Sequence, residues 1–233
     1  EHARRYLMEC GLPKERTFVT GSPMAEVLHA NLDKIEASDV HQRLGLTKGQ
    51  YILLSAHREE NIDTDRNFVQ LFTAVNAMAE KYDMPILYSC HPRSRKRLEA
   101  TGFQLDTRVI AHEPLGFLDY NCLQMNAFAV VSDSGTLPEE SSFFLSVGKP
   151  FPAVSIRTST ERPEALDAGC FVLAGIDADS LLQAVEMAVG MQRAECFGTP
   201  VAGYTAENVS MKVARIIQSY TGIVNKMVWR KDE

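Results

Sequence analysis

The chain has 233 residues, of which 45% are hydrophobic and 23% are charged, a composition that is typical of a folded globular protein and excludes intrinsic disorder. Its formal net charge of -6 and its isoelectric point near 5.6 argue against a nucleic-acid or anionic-membrane binder, because such partners require an excess of positive charge. We therefore expect a local site to hold any anionic ligand, and neither nucleic acid nor a membrane among the partners.

The five cysteines are odd in number and show no metal-ligand spacing, and several lie in or beside apolar runs. Such cysteines are typical of reduced core residues. No apolar stretch approaches the roughly 18 residues that a membrane helix needs, and no signal peptide is recognisable. The sequence predicts a cytoplasmic protein without a metal site.

The chain opens at Glu1 without an initiator methionine, on an amphipathic helical pattern that Gly11 and Pro13 stop. We expect from this start that the sequence begins in the middle of a longer protein. Beyond it, short apolar runs predict strands at Thr17 to Thr20, Tyr51 to Ser55, Pro85 to Ser89, Arg108 to Ala111, Ala127 to Ser132, Ala153 to Ile156 and Phe171 to Ala174.

Helical patterns lie between most of these runs, at Met24 to Ile35, Asp65 to Tyr82, Asp179 to Arg193 and Asn208 to Ile223. Buried strands that alternate with helices predict a Rossmann-like α/β domain, in which a parallel sheet carries helices on both faces. In such sheets ligands bind beyond the carboxyl ends of the strands, so the loops that follow the strands are the first candidates for a site.

The loop after the strand at Tyr51 to Ser55 contains His57, Arg58, Glu59, Glu60 and Asn61. A histidine transfers protons near neutral pH, and an arginine offers a fork of donors that fits phosphate oxygens. The alternative is that Glu59 and Glu60 only start the next helix, where acidic residues favour the positive end of the dipole.

The strand at Pro85 to Ser89 is followed by His91 and by four basic residues from Arg93 to Arg97. His91 lies where a strand end faces the ligand edge of the sheet. The basic residues fit a solvated helix face equally well, so phosphate binding there stays one of two interpretations.

The segment from Ser132 to Ser141 is a strand that turns through small residues into a helix. Ser134, Gly135 and Thr136 fall at the helix N-terminus, where backbone N–H groups bind anions such as a diphosphate. Glu140 lies one turn further and offers two oxygens to the hydroxyls of a ribose. The alternative is a plain serine cap with an acidic first turn.

The segment from Ser155 to Ala165 places many polar residues between a buried strand and a short helix. Its two arginines, Arg157 and Arg162, are candidate partners for phosphate or carboxylate groups. A capped helix start near Pro163 explains the hydroxyl residues of this loop but requires neither arginine.

These four loops, in this order, resemble those of the non-hydrolysing UDP-N-acetylglucosamine 2-epimerases. That family has a His-Arg-Arg-Glu-Asn run, a His-x-Asn-Pro run, an Asp-Ser-Gly-Gly-x-x-Glu-Glu run and a Thr-Glu-Arg-Pro-Glu run, and the match spans nearly the whole chain. The resemblance implies the carboxyl-terminal half of a GT-B-like enzyme of two Rossmann-like domains, with the UDP-sugar in the cleft between them.

The resemblance also implies individual roles. His57 matches the catalytic histidine of the family, Arg58 and His91 match residues that bind the substrate, and Glu60 lies in the same active-site run. The diphosphate loop corresponds to Ser134, Gly135 and Thr136, the ribose-binding glutamate to Glu140, and the aromatic residue against uracil to Tyr120.

Three positions depart from the family pattern: Glu59 replaces a second arginine, Arg93 replaces an asparagine and Thr136 replaces a glycine. With these departures the motifs look most like the capsule and O-antigen branch, which makes UDP-N-acetyl-L-fucosamine by inverting C2 of a UDP-2-acetamido-2,6-dideoxy-L-talose. We expect that substrate.

The resemblance implies elimination and re-addition of UDP without a redox cofactor or a metal, and a homodimer of the full-length enzyme. We expect residues 1–203 to form the UDP-binding domain and 204–233 to form a helix that packs on the missing N-terminal domain. The alternatives are the donor-binding domain of a GT-B glycosyltransferase and a UDP-binding module without catalysis.

Overall fold

A computed structural model describes residues 1–231 of the chain. Its sheet has six parallel strands in the order β3-β2-β1-β4-β5-β6. The strands are β1 (Ile52–Ser55), β2 (Ile86–Ser89), β3 (Val109–His112), β4 (Ala129–Ser132), β5 (Ala153–Ile156) and β6 (Val172–Ala174). This order and the helical crossovers are those of a Rossmann-like fold, so the predicted fold class is confirmed.

Eleven α-helices and two 3₁₀ helices accompany the sheet within residues 1–231. The α-helices are α1 (His2–Glu9), α2 (Met24–Glu36), α3 (Val40–Leu44), α4 (Glu59–Ile62), α5 (Asp65–Tyr82), α6 (Pro92–Thr101), α7 (Phe117–Met125), α8 (Leu137–Ser146), α9 (Pro163–Asp167), α10 (Ala178–Arg193) and α11 (Val209–Met227). The 3₁₀ helices are Lys14–Arg16 and Ala202–Tyr204. None of the helices in this part of the chain is long and apolar enough to cross a membrane.

Two hydrophobic cores cover the two faces of the sheet, because alternate residues of each strand point to opposite faces. Ile52 and Leu54 of β1 pack with α5 and α10, whereas Leu53 packs on the other face with α2, α7 and α8. The helices that the sequence predicts at Asp65 to Tyr82 and Asp179 to Arg193 are therefore α5 and α10, on one face of the sheet.

The strand predicted at Thr17 to Thr20 is wrong. This segment is extended but pairs with no strand among residues 1–231, and Phe18 and Val19 are exposed. The Phe18 ring instead contacts Tyr220 of α11 at 4.8 Å between centroids.

Helix α11 lies mostly outside the two cores, with Val209 as its buried residue. Its first turn lies beside Gly21, which has a φ of +91°. A Cβ atom on Gly21 would lie 3.1 Å from Gly203 O and 3.2 Å from Val209 Cγ2, so both the backbone conformation and the close packing require glycine. The proposed division at residue 203 and the packing of 204–233 on another domain stay predictions, and residues 232 and 233 lie outside the described part.

Candidate functional site

The candidate site lies at the carboxyl ends of β1 and β4, the neighbouring strands at which the strand order reverses. Crossovers from the two strands depart in opposite directions at such a point, which opens a crevice for a ligand. The loop after β1 contains His57 and Arg58, and the loop after β4 contains Ser134 to Thr136. The fold thus brings the first and third candidate loops together.

The corner from Ser134 to Thr136 is an ordered chain of hydroxyl groups ahead of α8. Thr136 Oγ1 donates to Glu140 Oε1 at 2.8 Å, so the Ser134 hydroxyl, 2.9 Å from Thr136 Oγ1, is the donor of that pair. The N–H of Gly135 has no acceptor within residues 1–231. This unpaired donor lies one residue before the N-cap of α8, in a position suited to an anion.

Arg157 and Arg162 both reach this corner from the segment between β5 and α9. A Cβ atom placed on Gly135 would lie 3.5 Å from Arg162 Nη1 and 3.7 Å from Arg157 Nη1. Both guanidinium groups therefore lie within 4 Å of one point beside Gly135. Arg157 is 6% exposed and is held by two hydrogen bonds to Glu161, and the Arg157 guanidinium keeps the pKa of Glu161 below its usual value.

Glu140 is buried beneath the corner rather than open to solvent. Its Oε2 accepts from Gln124 Nε2 at 2.9 Å, and its Oε1 accepts from Thr136. Burial raises the pKa of Glu140, the two hydrogen bonds oppose that shift, and the neighbouring charge of Glu139 adds to it.

Glu139 is a buried residue of the site that the sequence did not single out. Its Oε1 accepts from Arg162 Nε at 2.6 Å, and its Oε2 accepts from the hydroxyl of Ser22. Ser22 in turn donates its N–H to Gly203 O at 2.7 Å. Glu139 thus links Arg162 to the place where the segment around Ser22 meets the segment around Gly203. The two adjacent glutamates at the start of α8 indicate a functional position in the sequence. The sequence alone does not show which of them pairs with Arg162 and which lies beneath the corner.

Asp133, also missed, is fully buried and organises the loop after β1. Its Oδ2 accepts the backbone N–H groups of His57 and Arg58, both at 2.9 Å, and the side chain of Asn61 at 3.1 Å. His57 Nδ1 lies 3.2 Å from Oδ1. An acidic residue directly after a buried strand was the available signal.

Arg58, Glu60 and His91 lie at the rim of the crevice. Arg58 precedes α4 and lies 3.4 Å from Glu60 Oε1, with Glu60 exposed. His91 is exposed and caps α6, where its Nδ1 accepts from the N–H of Arg93 at 3.3 Å. Arg93 then joins the two loops through ion pairs with Glu59 at 3.1 Å and Asp63 at 2.7 Å.

Tyr120 of α7 is half-buried and packs against the core that contains α2 and α8. Burial raises its pKa, and the charge of Glu140 raises it further, whereas hydroxyl groups of Ser132 and Ser55 lower it. Tyr120 therefore lies close enough to the buried Glu140 carboxylate to feel its charge. Within residues 1–231 no group of three His, Cys, Asp or Glu side chains is placed to hold a metal ion.

The fold and this corner define a Rossmann-like protein with two arginines at the corner beside its switch point. A family model described as UDP-N-acetylglucosamine 2-epimerase matches residues 1–218. The chain therefore belongs to the UDP-N-acetylglucosamine 2-epimerase family, and the family resemblance seen in the sequence is confirmed.

Individual relatives agree with this assignment. A UDP-N-acetylglucosamine 2-epimerase of Methanococcus maripaludis is 32% identical over 191 residues, which are 79% of this chain and 51% of the relative. The solved structure of a UDP-N-acetylglucosamine 2-epimerase from Rickettsia bellii is 39% identical, with a TM-score of 0.87 over 99% of this chain and 61% of that one.

A third relative, the Methanocaldococcus jannaschii UDP-GlcNAc 2-epimerase, was solved in complex with UDP-GlcNAc and UDP. It is 26% identical, with a TM-score of 0.81 over 93% of this chain and 59% of that one. The chain spans about half the length of the curated relatives from Methanococcus maripaludis and Methanocaldococcus jannaschii.

Proposed function

We propose that this chain supplies the UDP-binding part of an enzyme that inverts C2 of a UDP-N-acetylhexosamine. The observation that carries the proposal is the corner at Gly135, whose N–H has no acceptor among residues 1–231 and which two guanidinium groups approach. Paired donors of this kind match the oxygens of a diphosphate. The solved relative that contains UDP-GlcNAc and UDP supports the choice of nucleotide.

In this proposal the rest of UDP lies along α7 and α8. Glu140 exchanges its hydrogen bonds with Thr136 and Gln124 for the ribose hydroxyls, and Tyr120 packs against uracil. Burial of Glu140 beside Tyr120 supports that placement, because both side chains already lie together under the corner. Arg58, Glu60 and His91 contact the substrate from the rim.

For the reaction we propose the elimination and re-addition of UDP that the family resemblance implies. A base removes the proton from C2 of the sugar, the C1–O bond breaks, and its electrons leave with UDP to give a glycal. UDP then returns to C1 while a proton is delivered to the opposite face of C2. His57 and the corner stabilise the charge of the departing diphosphate and keep it in place between the two steps. We expect the acid and base for C2 on the other half of the enzyme.

For the sugar we propose UDP-2-acetamido-2,6-dideoxy-L-talose, with UDP-N-acetyl-L-fucosamine as the product for capsule or O-antigen polysaccharide. The departures at Glu59 and Arg93 support a distinct sugar, since the two residues pair with each other and hold α4 against α6. A free second arginine after β1 is thereby replaced by a neutral ion pair. The enzyme is proposed to be cytoplasmic and homodimeric, with the N-terminal domain packed on α11.

Isothermal titration calorimetry of the 233-residue chain tests the nucleotide assignment. We expect UDP to bind and uridine to bind at least about 100-fold more weakly, because the two or more charge-assisted contacts of the diphosphate are each worth about 1.5–3 kcal/mol. We also expect no epimerisation by this chain alone. Equal affinity for UDP and uridine would contradict the proposed corner.

A chain that contains both halves tests the reaction in heavy water. The proposal requires deuterium at C2 and an inverted sugar without any acceptor, and it requires faster turnover of the 6-deoxy-talose sugar than of UDP-N-acetylglucosamine. Transfer of the sugar to an acceptor without label at C2 would identify a glycosyltransferase instead. Tight UDP binding without either reaction would identify a binding module.

A further inference from the structure

We infer that Asp133 is a positioning residue that fixes the His57 imidazole with its proton on Nδ1 and leaves Nε2 for the ligand. The functional part of this inference rests on the proposed role of His57, whereas the proton position does not. It is drawn from the hydrogen bonds around one fully buried carboxylate.

The two oxygens of Asp133 differ sharply in their surroundings. Oδ2 accepts three hydrogen bonds, from the N–H groups of His57 and Arg58 and from Asn61 Nδ2. Oδ1 is inaccessible to solvent and has no properly aligned hydrogen bond within residues 1–231. Buried carboxylate oxygens require a donor, because an oxygen that has lost its water and has no partner destabilises the fold.

His57 Nδ1 is the group in position to satisfy Oδ1, at 3.2 Å. A neutral imidazole has one N–H, and the two tautomers place it on different nitrogens. A proton on Nε2 would leave an Nδ1 lone pair facing a carboxylate oxygen 3.2 Å away, whereas a proton on Nδ1 makes this contact attractive, and a rotation of the ring aligns it as the donor that Oδ1 lacks. The carboxylate therefore selects the Nδ1–H tautomer, in the way that a carboxylate orients a histidine in other sites.

The hydrogen bonds of the loop also restrict the position of the His57 main chain. The same carboxylate that faces the ring also holds the backbone N–H of His57, so the ring and its main chain share one anchor. Asn61 ties that anchor to β5, because its Nδ2 also donates to Ile156 O at 3.1 Å.

His57 Nε2 has no hydrogen-bond partner among the described residues, and the side chain is 47% exposed. A ring held in this way accepts a proton on Nε2, becomes a donor there, and keeps its Nδ1–H on Asp133. This is the behaviour that a group facing the leaving diphosphate of UDP needs, because it must donate to an oxygen whose negative charge grows.

Asp133→Asn separates this role from a merely structural one. The asparagine has the same size, and its oxygen can take the place of Oδ2 and accept the three N–H donors. Its NH₂ group then faces His57, which must accept on Nδ1 and place its proton on Nε2. The substitution thus preserves the hydrogen bonds that hold the loop and moves the proton of the His57 ring from Nδ1 to Nε2.

The experiment is ¹⁵N NMR of the chain labelled on histidine, recorded at about pH 8.5, where an ordinary histidine is neutral. His57 signals are assigned by their loss in His57→Gln. We expect the Nδ1–H tautomer in the unsubstituted chain and the Nε2–H tautomer in Asp133→Asn. Asp177→Asn is the matched control, because Asp177 also accepts a backbone N–H, that of Ser180 at 2.9 Å, at the start of α10.

An Nε2–H tautomer in the unsubstituted chain, or the same tautomer in both chains, would overturn the inference. If Asp133→Asn does not fold, the spectrum of the unsubstituted chain still decides. The measurement needs no ligand, so a chain that shows the expected tautomers but does not bind UDP would refute the proposed function and leave the role of Asp133 intact. If UDP does bind, we expect Asp133→Asn to weaken it about threefold to tenfold, because His57 still donates from Nε2 but as a neutral imidazole, without the charge that strengthens the hydrogen bond.

Discussion

The loops after β4 and β2 have the same local sequence pattern, but their polar side chains differ in burial. In each, a buried strand runs into a helix that has a proline in its first turn, Pro138 in α8 and Pro92 in α6. After β4, the polar side chains are buried or half-buried and are bonded to one another. After β2, His91 and Arg93 are exposed and pair with groups on the surface.

The position of each strand in the sheet accounts for the difference. β4 lies at the point where the strand order reverses, and its other neighbour, β5, is followed by the segment that places Arg157 and Arg162 against Gly135. β2 lies between β1 and β3, away from that reversal. A strand end followed by a helix therefore becomes an anion site when the next segment along the sheet supplies cations to it.

The largest expected effect tests whether the two loops differ in phosphate binding, by removing one arginine beside each of them. We expect Arg157→Ala to weaken UDP binding about 30-fold, because a charge-assisted contact to phosphate is worth about 2 kcal/mol. Its partner Glu161 is exposed and stays hydrated, so folding should tolerate the change. Arg93→Ala, which removes an arginine that is also paired with a glutamate, should change the affinity by less than about twofold. Similar losses in calorimetry would remove the distinction between the loops.

The next largest effect tests whether Glu140 contacts the ribose of UDP. Glu140→Gln should weaken UDP about tenfold and leave pyrophosphate unchanged, since the proposed contact of Glu140 is to the ribose. Competition between UDP and pyrophosphate, measured for both chains, checks this. Parallel losses for the two ligands would mean that Glu140 supports the phosphate loop instead.

The raised pKa of Glu140 adds a pH dependence. The carboxylate must be ionised to accept from the ribose, and burial makes it take up a proton at a higher pH than an ordinary glutamate with a pKa of 4.5. UDP affinity should therefore fall on acidification at pH values above 4.5 in the unsubstituted chain. The difference between its pH profile and that of Glu140→Gln isolates this carboxylate, because the titration of UDP itself is common to both.

Among the residues proposed to contact the ligand, the smallest effect is expected at His91. His91→Ala removes the cap of α6 and should lower the free energy of unfolding by about 1 kcal/mol in chemical denaturation. It should weaken UDP only about threefold, because an exposed contact contributes at most about 1 kcal/mol. A loss as large as that of Arg157→Ala would place His91 inside the phosphate site.

The six strands of the sheet were predictable because each is a short apolar run between helical patterns. The segment at Thr17 to Thr20 has the same pattern and is not a strand, because an apolar run does not determine its long-range partner, and Phe18 contacts Tyr220 of α11 instead. The four candidate loops were predictable from their positions after strands and from the family resemblance.

The partners inside the site were not predictable from the sequence. Arg157 and Arg162 lie more than 20 positions from Gly135, and only the neighbouring positions of β4 and β5 bring them to it. Asp133 reads as an ordinary loop residue until the pairing of β1 with β4 places it under His57. Long-range pairing decides both contacts, and single-sequence patterns carry no direct information about it.

The glutamate doublet at the start of α8 has a consequence for how this family can diverge. Glu139 binds Arg162 and Ser22 of its own chain, whereas Glu140 lies next to the place proposed for the ribose. Selection for folding therefore acts on the first glutamate, and selection for the ligand acts on the second. A descendant that adopted a different nucleotide would be free to replace Glu140 but would have to keep Glu139, so two adjacent and chemically identical residues would evolve at different rates.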